Sequence, residues 1–332
     1  MKKKSTYLIT YNIIAILLLF ILSEGAVRIF KSEIQIQGTT QNLIADRVYF
    51  QSRGLRPFGN GMSNGVRVNV DQYGFRKYSR SIDRSKKSWL FIGDSVTMGI
   101  GVEADSTYPG IIQDHVDSIN ILNPSVIGHD IEDYENVFEY FVLENENEFN
   151  ISRVTIFWSL NDIYSSIEDI DTPGGKVRYI FSDFLRYLRY HSKLYYFLKT
   201  VIFDRPKDYY LYDQSFYKAD NILFKDAIKQ INMISKNCRM RDIRFGIVLL
   251  PYEYQMRKES EPYRFPQRLM MRSLRESNIN VYSILDETYN KDSKELYLYG
   301  DGIHFSKVGH KYIARYLVEK MLQDEGKLTM RL

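Results

Sequence analysis

The sequence predicts a three-layer α/β/α sandwich around a central parallel sheet of about five strands. Two observations carry this. From about residue 86, short apolar runs ending in glycine, proline or a polar turn alternate with segments of helical spacing. The composition is globular, with 44% hydrophobic, 26% charged and 14% aromatic residues in 332. That balance excludes a mainly disordered, collagen-like or polytopic membrane chain.

The elements follow in order. Trp89-Leu-Phe-Ile92 ends at Gly93 and reads as a buried strand entering a turn. A helix near Tyr108–Val116 leads to a second strand, Ile119–Ile127, and a helix from about Glu132 to Glu148 follows. Val154–Trp158 is the third strand and Phe245–Leu250, stopped by Pro251, the fourth. A helix near Gln267–Ser277 leads to the fifth strand, Asn280–Leu285, and the last helix runs from about Lys307 to Gln323. Residues 86–325 thus form the main domain, preceded by a polar, glycine-rich lead-in at 32–85. A helical insertion occupies about 175–240. Within it, Phe181–Phe203 is aromatic and basic, and Asp220–Lys236 has ordinary 3–4 spacing. A basic amphipathic helix can lie on a membrane, but packing on the domain with solvated charges fits this many aromatics better.

The N-terminus places the chain at a membrane. Tyr7–Leu22 is apolar apart from Thr10 and Asn12, and continuing through Ala26 gives a helix long enough to span. Residues 1–31 therefore read as an anchor or a cleaved leader. The charged Glu24–Arg28 continuation, without an A-x-A pattern, favours retention. Lysines precede the stretch, so the positive-inside rule places the domain extracytoplasmically, in the periplasm or at the cell surface. The net charge is +4, of which Lys2, Lys3 and Lys4 supply three, so nothing points to nucleic acid. One cysteine, Cys238, excludes an intrachain disulfide. The five scattered histidines lack ligand spacing, so neither a metal nor another cofactor is expected.

The chemistry sits at strand ends. Gly93-Asp-Ser95 places a serine between strand and helix at the carboxyl edge of the sheet, where α/β folds bind ligands. A serine nucleophile needs a base, and Asp301-Gly-Ile-His304 supplies one. Asp301 can turn back onto Nδ1, leaving Nε2 free for the serine proton. Gly128 ends the second strand region, and Asn161 follows the third. The Ser95 N–H, the Gly128 N–H and the Asn161 side-chain amide would then form an oxyanion hole. His129 reads as a surface-loop histidine, with lining of the site as the alternative; His310, His115 and His191 read as structural.

These blocks together resemble the SGNH (GDSL-type) hydrolase superfamily over about residues 86–322: Gly93-Asp94-Ser95, Gly128, Asn161-Asp162 and Asp301-x-x-His304, in the order of that superfamily. Ser159 stands where the third block usually has glycine, and Val96 replaces the leucine after the serine. Asn69-Val-Asp-Gln-Tyr-Gly74-Phe-Arg76 resembles the lead-in of membrane-anchored bacterial members. The resemblance implies a flavodoxin-like fold, a Ser95–His304–Asp301 triad, and oxyanion donors from Ser95, Gly128 and Asn161. It also implies an esterase removing O-acetyl or other short acyl groups, with a cell-envelope or exported polysaccharide as substrate and envelope polysaccharide biosynthesis proteins as partners. O-acyl transfer to the same glycans, lipid ester hydrolysis, and a decayed glycan-binding or assembly protein remain as alternatives.

Overall fold

The computed structural model describes residues 2–145, 148–164, 182–258, 260–288 and 291–323. The chain divides into two compact units, Met1–Gly38 with Asp171–Asp204 and Thr39–Ile170 with Arg205–Leu332.

In the first unit, helix α1 (Lys2–Phe30) contains a stretch long and apolar enough to cross a membrane, Tyr7–Phe30, with a mean hydropathy of 2.3. The aromatic and basic segment forms two helices, Ser182–His191 and Lys193–Ile202, rather than one. Ser192 separates them because its hydroxyl accepts the Tyr195 N–H at 3.0 Å, an N-cap that starts a new helix. The Glu24 carboxylate accepts the next free N–H groups, those of Lys193 at 3.1 Å and Leu194 at 2.9 Å. The expected start of the insertion near residue 175 lies outside the described residues.

The second unit opens with two antiparallel hairpins. β1 (Ile44–Tyr49) pairs with β2 (Ser52–Leu55), and β3 (Asn60–Ser63) with β4 (Val66–Asn69). The main sheet is parallel and has five strands: β5 (Lys87–Ile92), β6 (Ile119–Leu122), β7 (Ile151–Trp158), β8 (Arg244–Leu249) and β9 (Asn280–Ser283). Their spatial order is β6-β5-β7-β8-β9. The chain therefore leaves β5 to one side for β6 and returns to its other side for β7. This reversal lies at β5, and the carboxyl end of such a strand is the position where open α/β sheets hold ligands.

Alternate residues of each strand feed opposite layers. Leu90, Ile92, Val154, Ile156 and Ile247 face one layer, with Tyr134, Val137, Phe224, Ile231 and Leu269. Trp89, Phe91, Phe157 and Val248 face the other, with Tyr108, Ile112, Ile313 and Leu317. Both faces are covered, which is why the strands read as continuous apolar runs. Burying each such side chain contributes about 1.5–3 kcal/mol.

Some boundaries differ from the sequence reading. β6 stops at Leu122 instead of Ile127 because Pro124 has no N–H to offer a ladder. β9 stops at Ser283, and Ile284 and Leu285 enter a short helix, Ile284–Thr288, whose burial an apolar run equally satisfies. The helix expected to reach Glu148 is α-helical over Ile131–Phe138 and π-helical over Glu139–Glu144. Arg205–Asp213, not singled out in the sequence, is a helix.

Candidate active site

The β5 strand ends at Ile92, and the turn beyond it admits only glycine at position 93. A Cβ there would sit 2.0 Å from Thr97 Oγ1 and 3.3 Å from the Phe157 carbonyl oxygen. Asp94 then caps the four-residue helix Ser95–Met98, its Oδ1 accepting the Val96 N–H at 2.9 Å. The cap leaves Ser95 at the first helical position, where a backbone N–H has no intrahelical partner. Several buried groups grip the rest of the turn. The Tyr108 hydroxyl donates to Thr97 Oγ1 at 2.7 Å, and Asn123 Nδ2 donates to the Thr97 carbonyl at 3.0 Å. Arg76, only 1% exposed, donates to the carbonyls of Met98 at 2.8 Å, Gly99 at 2.6 Å and Val102. Burial pulls its guanidinium down to about 10, still charged at neutral pH.

Asp301 and His304 come from the loop before the last helix, Lys307–Gln323. Asp301 Oδ1 accepts the N–H groups of Ile303 and His304, each at 2.9 Å, which folds the segment back on itself. Its Oδ2 lies 2.9 Å from His304 Nδ1, and His304 Nε2 lies 2.8 Å from Ser95 Oγ. Burial alone pushes the Asp301 carboxyl up. The adjacent imidazole and the two backbone N–H groups outweigh it and hold the carboxyl at about 2. An ionised Asp301 can only accept, so the ring proton sits on Nδ1 and Nε2 presents a lone pair to the serine hydroxyl. Burial depresses the His304 imidazole, but Asp301, and Asp94 behind Ser95, raise it above its ordinary value overall.

The remaining expected residues also stand at this edge. Gly128 has φ 75°, a left-handed conformation that an L side chain adopts only with strain. Asn161 lies in the 3-10 turn Leu160–Ile163, with Nδ2 at 3.5 Å from Asp94 Oδ2 and Oδ1 accepting the Tyr252 hydroxyl at 2.8 Å. The structure thus joins Ser95, His304 and Asp301 in one hydrogen-bonded series, and ties Asn161 to the same turn through Asp94. For Gly128 it gives the backbone conformation, with its carbonyl accepting from Arg53 at 3.3 Å. Ser159, in the position where glycine is usual, donates its N–H to Asp162 Oδ2 at 2.6 Å and holds the turn.

The sequence matches the family model for GDSL-like lipases and acylhydrolases over residues 90–317, more than half of the chain. The chain belongs to the GDSL lipase/acylhydrolase family. It is a hydrolase acting on ester bonds. Among solved structures it is similar to a lipolytic G-D-S-L family protein of Veillonella parvula, at 11% identity and TM-score 0.44, covering 71% of this chain and 99% of that one. A lipase/acylhydrolase from Enterococcus faecalis shows 16% identity and TM-score 0.41, covering 74% and 100%. A psychrotrophic esterase from Pseudoalteromonas shows 11% and 0.41, covering 72% and 99%. No curated protein matches by sequence.

Other groups correct or extend the sequence reading of this GDSL chain. His129 is not a surface residue. It is 2% exposed, and its Nε2 lies 2.8 Å from the Arg53 carbonyl, tying the Gly128 turn to the β1–β2 hairpin. His310 is buried too, its Nδ1 accepting the Tyr108 N–H at 3.2 Å. Burial and the nearby Arg76 push this imidazole down to about 3, so it stays neutral. Tyr252 was missed, although it follows Pro251 directly after β8 and hence lies on the same sheet edge. Among the described residues, no group of three or more His, Cys, Asp or Glu side chains could hold a metal ion.

Proposed function

We propose that this chain is a serine O-acyl esterase that removes acetyl or other short acyl groups from an envelope or exported polysaccharide. The observation that carries the chemistry is the unbroken series from Ser95 Oγ through His304 to Asp301, at 2.8 Å and 2.9 Å. In this reading the Ser95 hydroxyl attacks the ester carbonyl as His304 Nε2 takes its proton. Asp301 holds the resulting imidazolium. The oxyanion is met by the N–H groups of Ser95 and Gly128 and by Asn161 Nδ2. His304 returns the proton to the departing sugar hydroxyl. Water, deprotonated by the same nitrogen, then releases the acid.

The choice of substrate rests on placement. Tyr7–Phe30 serves in this reading as a retained anchor, with the lysines before it in the cytoplasm and the esterase outside, among acylated glycans and the proteins that build them. The test is fluorophosphonate labelling of the full chain in detergent, wild type beside Ser95→Ala and His304→Ala, with acetate release from acetylated xylan in parallel. Labelling and acetate release in wild type alone, with unchanged thermal midpoints, are expected. Equal turnover by Ser95→Ala would remove the serine from the mechanism. Labelling without acetate release would remove the acetylated glycan.

A further inference from the structure

The helix Arg205–Asp213 touches the site at both ends. At its start, Pro206 packs so closely on the Asp301–His304 loop that a Cβ on Gly302 would lie 2.6 Å from the Pro206 Cα. At its end, Asp213 is 3% exposed and meets two hydroxyls. Tyr164 donates to its Oδ1 at 2.6 Å, and Tyr252 Oη lies 2.7 Å from its Oδ2. The same Tyr252 oxygen lies 2.8 Å from Asn161 Oδ1.

Counting protons decides how this row works. Three oxygens in sequence, Asp213 Oδ2, Tyr252 Oη and Asn161 Oδ1, need two hydrogens to be joined, and a phenol has one. If Asp213 were ionised, it would draw the phenol proton, and the lone pairs of Tyr252 and Asn161 would oppose each other. Turning the carboxamide over gives no relief, because Oδ1 would then face the Asp94 carboxylate, 3.5 Å from the present Nδ2. The arrangement closes when Asp213 carries a proton. Asp213 then donates to Tyr252, Tyr252 to Asn161 Oδ1, and Asn161 Nδ2 points toward Asp94 and Ser95. The position of Asp213 at the C-terminal end of its helix, where carbonyl dipoles disfavour an anion, supports the neutral form. Burial works in the same direction, raising its carboxyl to about 6 against the two tyrosine hydrogen bonds, so the row itself must hold the proton at neutral pH.

We propose that Asp213 is a positioning residue of the esterase, acting through Tyr252 to aim the Asn161 side-chain amide at the developing oxyanion. The inference rests on the esterase reading above, in which Asn161 is an oxyanion donor.

The experiment is steady-state hydrolysis of p-nitrophenyl acetate by the full chain in detergent, for Asp213→Asn, Asp213→Leu, Tyr252→Phe, Asn161→Ala and Ser95→Ala. Thermal midpoints are recorded for each. An asparagine at 213 accepts from Tyr164 and donates permanently to Tyr252, so Asp213→Asn should keep kcat within about threefold of wild type. Asp213→Leu keeps the branched shape, in a larger side chain, without donating, and Tyr252→Phe breaks the row. Each should lower kcat by about 10- to 100-fold with KM little changed, approaching the loss in Asn161→Ala. Wild-type kcat in Tyr252→Phe, or equal losses in Asp213→Asn and Asp213→Leu, overturns the proposal. If Asp213→Leu does not fold, Tyr252→Phe against Asp213→Asn decides the matter alone. Failure of the esterase reading looks different: Ser95→Ala keeps full turnover and Asn161→Ala is neutral.

Discussion

Arg76 is the brace of the nucleophile turn, and replacing it by methionine tests that role. The guanidinium donates to the carbonyl of Met98, the last residue of the Ser95 helix, and to those of Gly99 and Val102 beyond it. Methionine fills a similar volume but leaves these buried acceptors without a partner. A buried unsatisfied group costs about 1–3 kcal/mol, and the low end applies because the desolvation of the guanidinium is recovered at the same time. Three carbonyls then give a loss of about 3 kcal/mol, or roughly 6–12 °C in Tm for a unit of this size. The two tryptophans, Trp89 and Trp158, are both in the main sheet, so their fluorescence follows unfolding of this unit alone. With the C-terminal side of the turn released, kcat should fall at least about tenfold at temperatures where the variant is still folded. An Arg76→Met chain with its Tm within 2 °C of wild type on the ~10 °C scale above, and with unchanged kcat, would refute the brace.

Three further outcomes are expected. The base must be neutral to act, and its carboxylate partner raises the His304 imidazole above its ordinary value, so the acid limb of kcat/KM should fall above pH ~6.5. Asp301→Asn removes that charge and should move the limb to lower pH while cutting kcat; a pH–rate profile whose limb stays in place contradicts the assignment. Gly93→Ala puts a methyl 2.0 Å from Thr97 Oγ1 and should cost about 1–3 kcal/mol in denaturant unfolding, partly restored by adding Thr97→Ala. His310 takes a proton in the unfolded chain near its ordinary value but resists in the fold down to about 3. Stability should therefore fall as pH drops from about 6.5, by about 1.4 kcal/mol per unit, and His310→Gln should flatten that slope.

The parts of the fold that could be read from the sequence are those whose cause is local. Trp89–Ile92, Val154–Trp158 and Phe245–Leu249 are apolar runs with a stop signal beside them, and each lies in a strand of the parallel sheet. Ile284 and Leu285 misled because burial alone does not distinguish a strand from a helix. The site divides the same way. Asp94, Asp301 and Gly93 are explained by turns of three or four residues, so their motifs were visible. Arg76, Tyr252 and Asp213 act on groups 22 to 91 positions away, where no spacing rule reaches. The sequence has 27 tyrosines, but their use as buried hydrogen-bonding links is written only in three dimensions. Tyr217 shows it again, accepting from Trp158 Nε1 at 2.8 Å and donating to the Leu160 carbonyl at 2.9 Å.

The hydrogen bond between Ser95 and His304 spans 209 positions of the chain. During synthesis at about 5–20 residues per second, the serine turn leaves the ribosome roughly 10–40 s before His304 does. In the proposed triad the serine has no general base throughout that interval and remains an ordinary hydroxyl. On that reading reactivity arrives only with the loop that carries His304, just before the last helix, and a product truncated ahead of it would be silent toward esters.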